Sequence, residues 1–162
     1  METALLSITP FDWPSIFTAL ACGTIIGIER QIRGKPAGIR TSALIILGTY
    51  IFMACSIYVS QSATMSDPSR IIGQVITGIG FLGAGVMLSK GRSVYGVTSA
   101  ATIWSLAAVG VCIGIGQLGS AFKLSIVVVI VLFGVDLFED YSQRIGQRMQ
   151  SRYSDWRNRD DE

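Results

Sequence analysis

Three long stretches without Asp, Glu, Lys or Arg constrain this chain more than anything else in it: Thr41–Ser60, Ile71–Ser89 and Tyr95–Gly116. Each is about twenty residues long, the length an α-helix needs to cross the roughly 30 Å hydrocarbon layer of a bilayer. Composition points the same way. Half of the residues (50%) are apolar, 15% are charged and the mean hydropathy is +0.52, whereas soluble domains average about 25% charged residues. The chain has no histidine, which removes the commonest general base and the commonest transition-metal ligand. Cys22, Cys55 and Cys112 lie far apart in apolar runs, and are expected as buried small hydrophobes.

Two further spans complete the pattern. Phe11 to about Glu29 places Trp13 where an interfacial aromatic belongs and Pro14 in a first-turn position. About Ala121–Phe138 begins with Lys123, which can snorkel to the interface. The opening METALLSITPFDW has no basic n-region and no A-x-A site, so no cleaved signal peptide is expected there. An odd number of spans puts the termini on opposite sides. Every basic residue except Arg70 and Lys123 falls in the loop after span one, the loop after span three, or the tail. The positive-inside rule then places the N-terminus outside and the tail in the cytoplasm. The expected fold is all-α: a polytopic bundle of five transmembrane helices, at about 11–29, 41–60, 71–89, 95–116 and 121–138. Beyond it lies a basic cytoplasmic tail, 139–162, in which Leu137, Tyr141, Ile145, Met149 and Tyr153 recur every four residues. That stripe suits an amphipathic helix on anionic headgroups or a partner, or equally a solvated helical end.

The third span is rich in glycine. Gly78-Ile-Gly80-Phe-Leu-Gly83 matches the dinucleotide pattern literally, but no strand precedes it and no acid lies between Asp67 and Asp136. It reads instead as a helix with two small faces. At about 100° per residue, Gly73, Thr77, Gly80 and Ala84 share one face, and Gln74, Gly78, Phe81 and Gly85 share another. Small residues let helix backbones approach in lipid. GxxxG pairs at Gly23–Gly27 and Gly110–Gly114 make spans one and four the expected neighbours of a central third helix.

At these residues the chain resembles the MgtC/SapB family of bacterial inner-membrane proteins. The resemblance is carried by Gly27-Ile-Glu29-Arg30, by Pro36-Ala-Gly38-Ile-Arg40-Thr41, by the run from Asp67 and Arg70 through Gln74 to Gly85, and by Gly96-Val-Thr98-Ser-Ala-Ala101-Thr-Ile-Trp104. These pieces cover about half the chain in the family's order. The resemblance implies a five-helix membrane domain and, with about two dozen residues left after the fifth span, the short SapB-like form without an appended soluble domain. Virulence-associated members tend to carry Asn where this chain has Thr98, so their roles inside host cells are not carried over. The family name brings an association with magnesium.

Glu29, Arg30, Arg33 and Arg40 gather at the cytoplasmic end of the bundle, and Asp136 reaches the same depth. Ionisable groups at membrane depth are costly and usually paired. The cluster is therefore either a site for an anion, a lipid headgroup or a partner, or a lock on the helix ends. Asp67 is placed to cap the third helix beside Arg70, and Gln74, Thr77, Thr98 and Ser105 are expected to bond to neighbouring helices. No nucleophile–base pairing, metal-ligand set or cofactor motif is evident, so neither catalysis nor a cofactor is expected. The expected partners are membrane lipid, further copies of the chain, another membrane protein and Mg2+. The expected function is a membrane regulator or accessory factor linked to magnesium or envelope homeostasis. The alternatives are a magnesium transporter or channel, with Glu29, Asp136 and Gln74 on its pathway, and a structural module that presents its basic tail.

Overall fold

A computed structural model describes residues 8–61, 67, 69–90 and 93–134. The described fold is all-α apart from one small hairpin. In chain order it comprises α1 (Trp13–Ile32), α2 (Ile39–Ser60), α3 (Ser69–Gly85), β1 (Leu88–Lys90), β2 (Ser93–Tyr95), α4 (Val97–Gly114) and α5 (Leu118–Gly134). The first compact unit ends at Val129; past that point only the last turn of α5, 130–134, is described. Of the five helices, α2 and α4 are long and apolar enough to cross a membrane, and α5 is a shorter apolar helix. The expected tail 139–162 and Asp136 lie outside the described residues.

The helix starts reflect local chemistry. Asp12, in extended conformation, accepts from the Ser15 N–H at 2.9 Å, and Pro14 occupies the first turn of α1, where its missing N–H would have no partner. Asp67 does the same for α3: its two carboxylate oxygens accept from the Ser69 N–H at 2.9 Å and the Ser69 hydroxyl at 2.7 Å. Between α1 and α2 the chain turns through Gly34 and Ala37, both with positive φ. The Ala37 carbonyl is held by the Ser42 hydroxyl at 2.7 Å.

The packing corrects the expectation that the glycine-rich helix is central. The helix at the centre is α2, which packs most extensively on α1 and α4. Both GxxxG pairs face it. A Cβ on Gly23 would come within 2.5 Å of Ala43 Cα, and one on Gly110 within 2.6 Å of Thr49 Cβ. At Gly27 and Gly114 a Cβ would strike Ile39 and Met53. Backbones this close exclude any side chain. By contrast, nothing lies within 4 Å of a Cβ built on Gly73, Gly78, Gly80 or Gly85, and Thr77 and Ala84 are exposed. Only Gly83 of α3 is buried, against Ala100 of α4. Thus α3 packs on α4 and more sparsely on α2, and its small faces are open in the single chain. A pattern of small residues shows that a helix can be approached closely, but not which helices find partners.

The boundaries shift as well. The third helix stops at Gly85 rather than Ser89, and α4 starts at Val97 rather than Tyr95, because β1 and β2 pair between them. Leu88 lies opposite Tyr95, Ser89 opposite Val94 and Lys90 opposite Ser93. Hydropathy alone cannot tell a short apolar strand from the end of a helix. Gly96 closes this turn at φ +87°, with the Val86 carbonyl where a Cβ would stand; only glycine fits there.

Candidate functional site

A buried ion cluster forms where α1 ends. Glu29 and Arg30 keep 1% and 2% of their exposure inside an otherwise apolar packing. The Arg30 guanidinium donates to both Glu29 oxygens, from Nη2 to Oε1 at 2.8 Å and from Nε to Oε2. One turn on, Arg33 Nε reaches Glu29 Oε1 at 3.0 Å, and Arg33 remains 25% exposed. An acid followed four residues later by a base is the favourable helical order. Basic groups also suit the negative end of a helix dipole. The trio carries one negative and two positive charges, so the site is cationic overall. Its surroundings are tight. The Lys35 N–H bonds to the Arg30 carbonyl at 2.9 Å, Ala37 is buried, and the first turn of α2 lies against Gly27.

The expected cluster is therefore gathered in part. Glu29, Arg30 and Arg33 meet, whereas Arg40 points from the first turn of α2 as an exposed residue and forms no ion pair among the described residues. The neighbouring Thr41 is exposed too. The polar residues expected to bridge helices turn inward on their own instead. The Thr77 hydroxyl donates to the Gly73 carbonyl at 2.9 Å and the Ser105 hydroxyl to the Ala101 carbonyl at 3.0 Å. Thr98 is exposed, and its carbonyl accepts from the Thr102 hydroxyl at 2.8 Å. Trp104 is 53% exposed on α4. Cys22 is buried as expected, Cys112 half-buried, and Cys55 exposed. Among the described residues no three His, Cys, Asp or Glu side chains are grouped to hold a metal.

Two features went unread in the sequence. The first is a clasp between α1 and α2. Tyr50, only 2% exposed in the middle of α2, accepts from the Asp12 N–H at 3.0 Å and donates to Asp12 Oδ2 at 3.2 Å. Asp before Trp-Pro is a legible helix start, but nothing in an apolar run marks Tyr50 as its partner. The second is a groove of about 890 Å3 where α2 and α3 diverge. Phe52 and Val59 form one wall, Ile71, Val75 and Leu82 the other, and Asp67 and Arg70 stand at one end. Cys55 and Gln74 also face it. The Asp67 carboxyl is lowered by its hydrogen bonds from Ser69 and, to a smaller extent, by the Arg70 charge.

Against this geometry, comparison with known proteins is direct. The model of the MgtC family matches residues 16–141. The Escherichia coli (strain K12) protein named "Putative magnesium transporter YhiD" is 45% identical over 122 residues, covering 72% of this chain and 56% of that protein. "Protein MgtC" of Salmonella typhimurium (strain LT2) is 40% identical over 133 residues, covering 82% of this chain and 54% of its own. The chain thus spans about half the length of these relatives. No solved structure matches it. The matched segment runs from the first turns of α1 beyond the end of α5 and takes in both GxxxG pairs, the ion cluster and the groove; the chain belongs to the MgtC family.

Proposed function

We propose that the chain is a multi-pass protein of the bacterial inner membrane, crossing it five times with its N-terminus outside, and that it acts as a membrane regulator or accessory factor linked to magnesium or envelope homeostasis. The observation that carries this reading is the state of Glu29. It is the one carboxylate inside a described helix, and both of its oxygens are held by arginines. A carboxylate so engaged, in a cluster with net positive charge, repels a divalent cation rather than ligating it; Mg2+ needs one or two free carboxylates and retained waters. The cluster instead suits a lock on the α1–α2 turn or a contact for an anionic group of a partner. The open small face of α3, at Gly73, Gly80 and Ala84, supports self-association. No catalytic role is proposed.

A transporter is the second reading, favoured by the name of the E. coli relative. Its pathway would run past Glu29, Asp136 and Gln74. Mg2+ uptake into proteoliposomes separates the two. The regulatory reading expects uptake no greater than in protein-free vesicles. Saturable uptake that is lost in Glu29→Gln and Asp136→Asn would replace it with the transporter.

A further inference from the structure

The groove between α2 and α3 is a feature that the ion cluster does not use. Its volume, about 890 Å3, falls within the roughly 300–1,000 Å3 of pockets that take drug-sized ligands. Along its length the walls are apolar, with Phe52 and Val59 facing Ile71, Val75 and Leu82. One end is polar. There the two oxygens of Asp67 are occupied by Ser69, so this charge is directed to the start of α3, where a helix dipole favours it. Arg70 is exposed at the same end and forms no ion pair among the described residues.

A groove that is apolar along its walls, with a guanidinium outside any described ion pair at its end beside a carboxylate already bonded to Ser69, matches an amphiphile with an anionic head and a hydrocarbon tail. We propose that it is a phospholipid site, with an acyl chain between α2 and α3 and the phosphate at Arg70. The proposal rests on the membrane reading given above. Charge favours lipid over a second copy of the chain. In a second copy, α2, α3, α4 and α5 carry no acid within their described bounds, and the described acids elsewhere are already engaged: Glu29 by Arg30 and Arg33, Asp12 by Ser15 and Tyr50, and Asp67 by Ser69. None of these carboxylates is left free to pair with Arg70. A phosphate accepts strong charge-assisted hydrogen bonds from a guanidinium, and acyl chains cover the apolar walls without a protein partner.

The test uses the purified full chain in detergent, titrated with palmitoyl-oleoyl phosphatidylglycerol and followed by native mass spectrometry. Dioleoylglycerol, which lacks the phosphate, and inorganic phosphate, which lacks the tails, are titrated in parallel. Gly78 faces the groove and has nothing within 4 Å of an added Cβ, so Gly78→Phe fills the groove without disturbing a packed neighbour. Gly80 is equally open but does not line the groove, and Gly80→Phe is the control. The proposal expects phosphatidylglycerol to bind the wild type and Gly80→Phe alike. It expects binding about tenfold weaker to Arg70→Gln and lost in Gly78→Phe, with all variants retaining the wild-type circular dichroism spectrum. Equal binding of phosphatidylglycerol to the wild type and Gly78→Phe overturns it, as does dioleoylglycerol binding as tightly as phosphatidylglycerol. A dimer of the wild type that Gly78→Phe abolishes, without lipid binding, overturns it in favour of a second copy. Alkaline carbonate extraction of cell membranes keeps the two levels apart. A chain released by carbonate defeats the membrane reading itself, whereas a retained chain with unchanged lipid binding in Gly78→Phe defeats only the groove.

Discussion

At the scale of single residues, the most consequential group is Glu29. A buried ion pair is weak evidence of stability, but removing one partner leaves the other charge stranded in apolar surroundings. Glu29→Gln would leave Arg30, 2% exposed, without its counter-ion, and should lower stability by about 3–5 kcal/mol. Arg33→Gln should cost much less, because Arg33 is partly in water and its charge is screened. Thermal unfolding of the two variants in one detergent measures the difference; equal melting temperatures would mean that the cluster does not hold the end of α1. Asp67 provides a pH-dependent counterpart. Hydrogen bonds from Ser69 hold its carboxyl lower in the fold than its ordinary value of 3.8, so its contribution is complete above that value and is lost as the pH falls through the lower, folded one. Asp67→Asn should therefore flatten the acid limb of the stability profile measured by thermal unfolding. These residues also show what a sequence reveals about a site. That Glu29 gathers with Arg30 and Arg33 was legible from their place at the end of span one, but the i,i+4 pairing of Glu29 with Arg33 was not, because the helix runs on to Ile32 beyond the expected end near Glu29. That Arg40 faces away, and that Tyr50 clasps Asp12 across thirty-eight positions, depends on how two helices are rotated against each other, which no local pattern encodes.

At the scale of elements, the glycines separate into two kinds that the sequence presents alike. Those of α1 and α4 are pressed onto α2; those of α3, apart from Gly83, are open. Gly23→Leu and Gly110→Leu should each destabilise the chain by at least the roughly 1–3 kcal/mol of an overpacked core, since the obstacles at Gly23 and Gly110 include backbone atoms. Gly80→Leu should leave the melting temperature of the isolated chain near that of the wild type and weaken any self-association. Size-exclusion chromatography with light scattering, run beside thermal unfolding, reads both effects. A large loss of monomer stability in Gly80→Leu would mean that α3 packs more closely than its open glycines indicate. The small β-hairpin belongs to the same lesson. Helix existence was legible from three uncharged runs, whereas the ends of α3 and α4 were set by a strand pair and by a carbonyl lying against Gly96, contacts that hydropathy does not register.

For the whole molecule, everything proposed depends on how the helices lie in the bilayer. The 17 residues of α3 would span about 26 Å as a helix, somewhat less than the roughly 30 Å hydrocarbon layer, so Arg70 at its start would stand close to the headgroups, where the lipid proposal needs it. The charge asymmetry that orients the chain is a property of sequence alone, and was legible because translocation acts on loops rather than on the folded bundle. Five crossings require the termini to lie on opposite sides, and no other feature tests the arrangement so simply. The decisive measurement is a pair of fusions, each carrying the same compartment-sensitive reporter, alkaline phosphatase, at the N-terminus or after Glu162. The five-span arrangement predicts activity from the N-terminal fusion and none from the C-terminal one. Equal activity from both, or from neither, would place the termini on one side and contradict it.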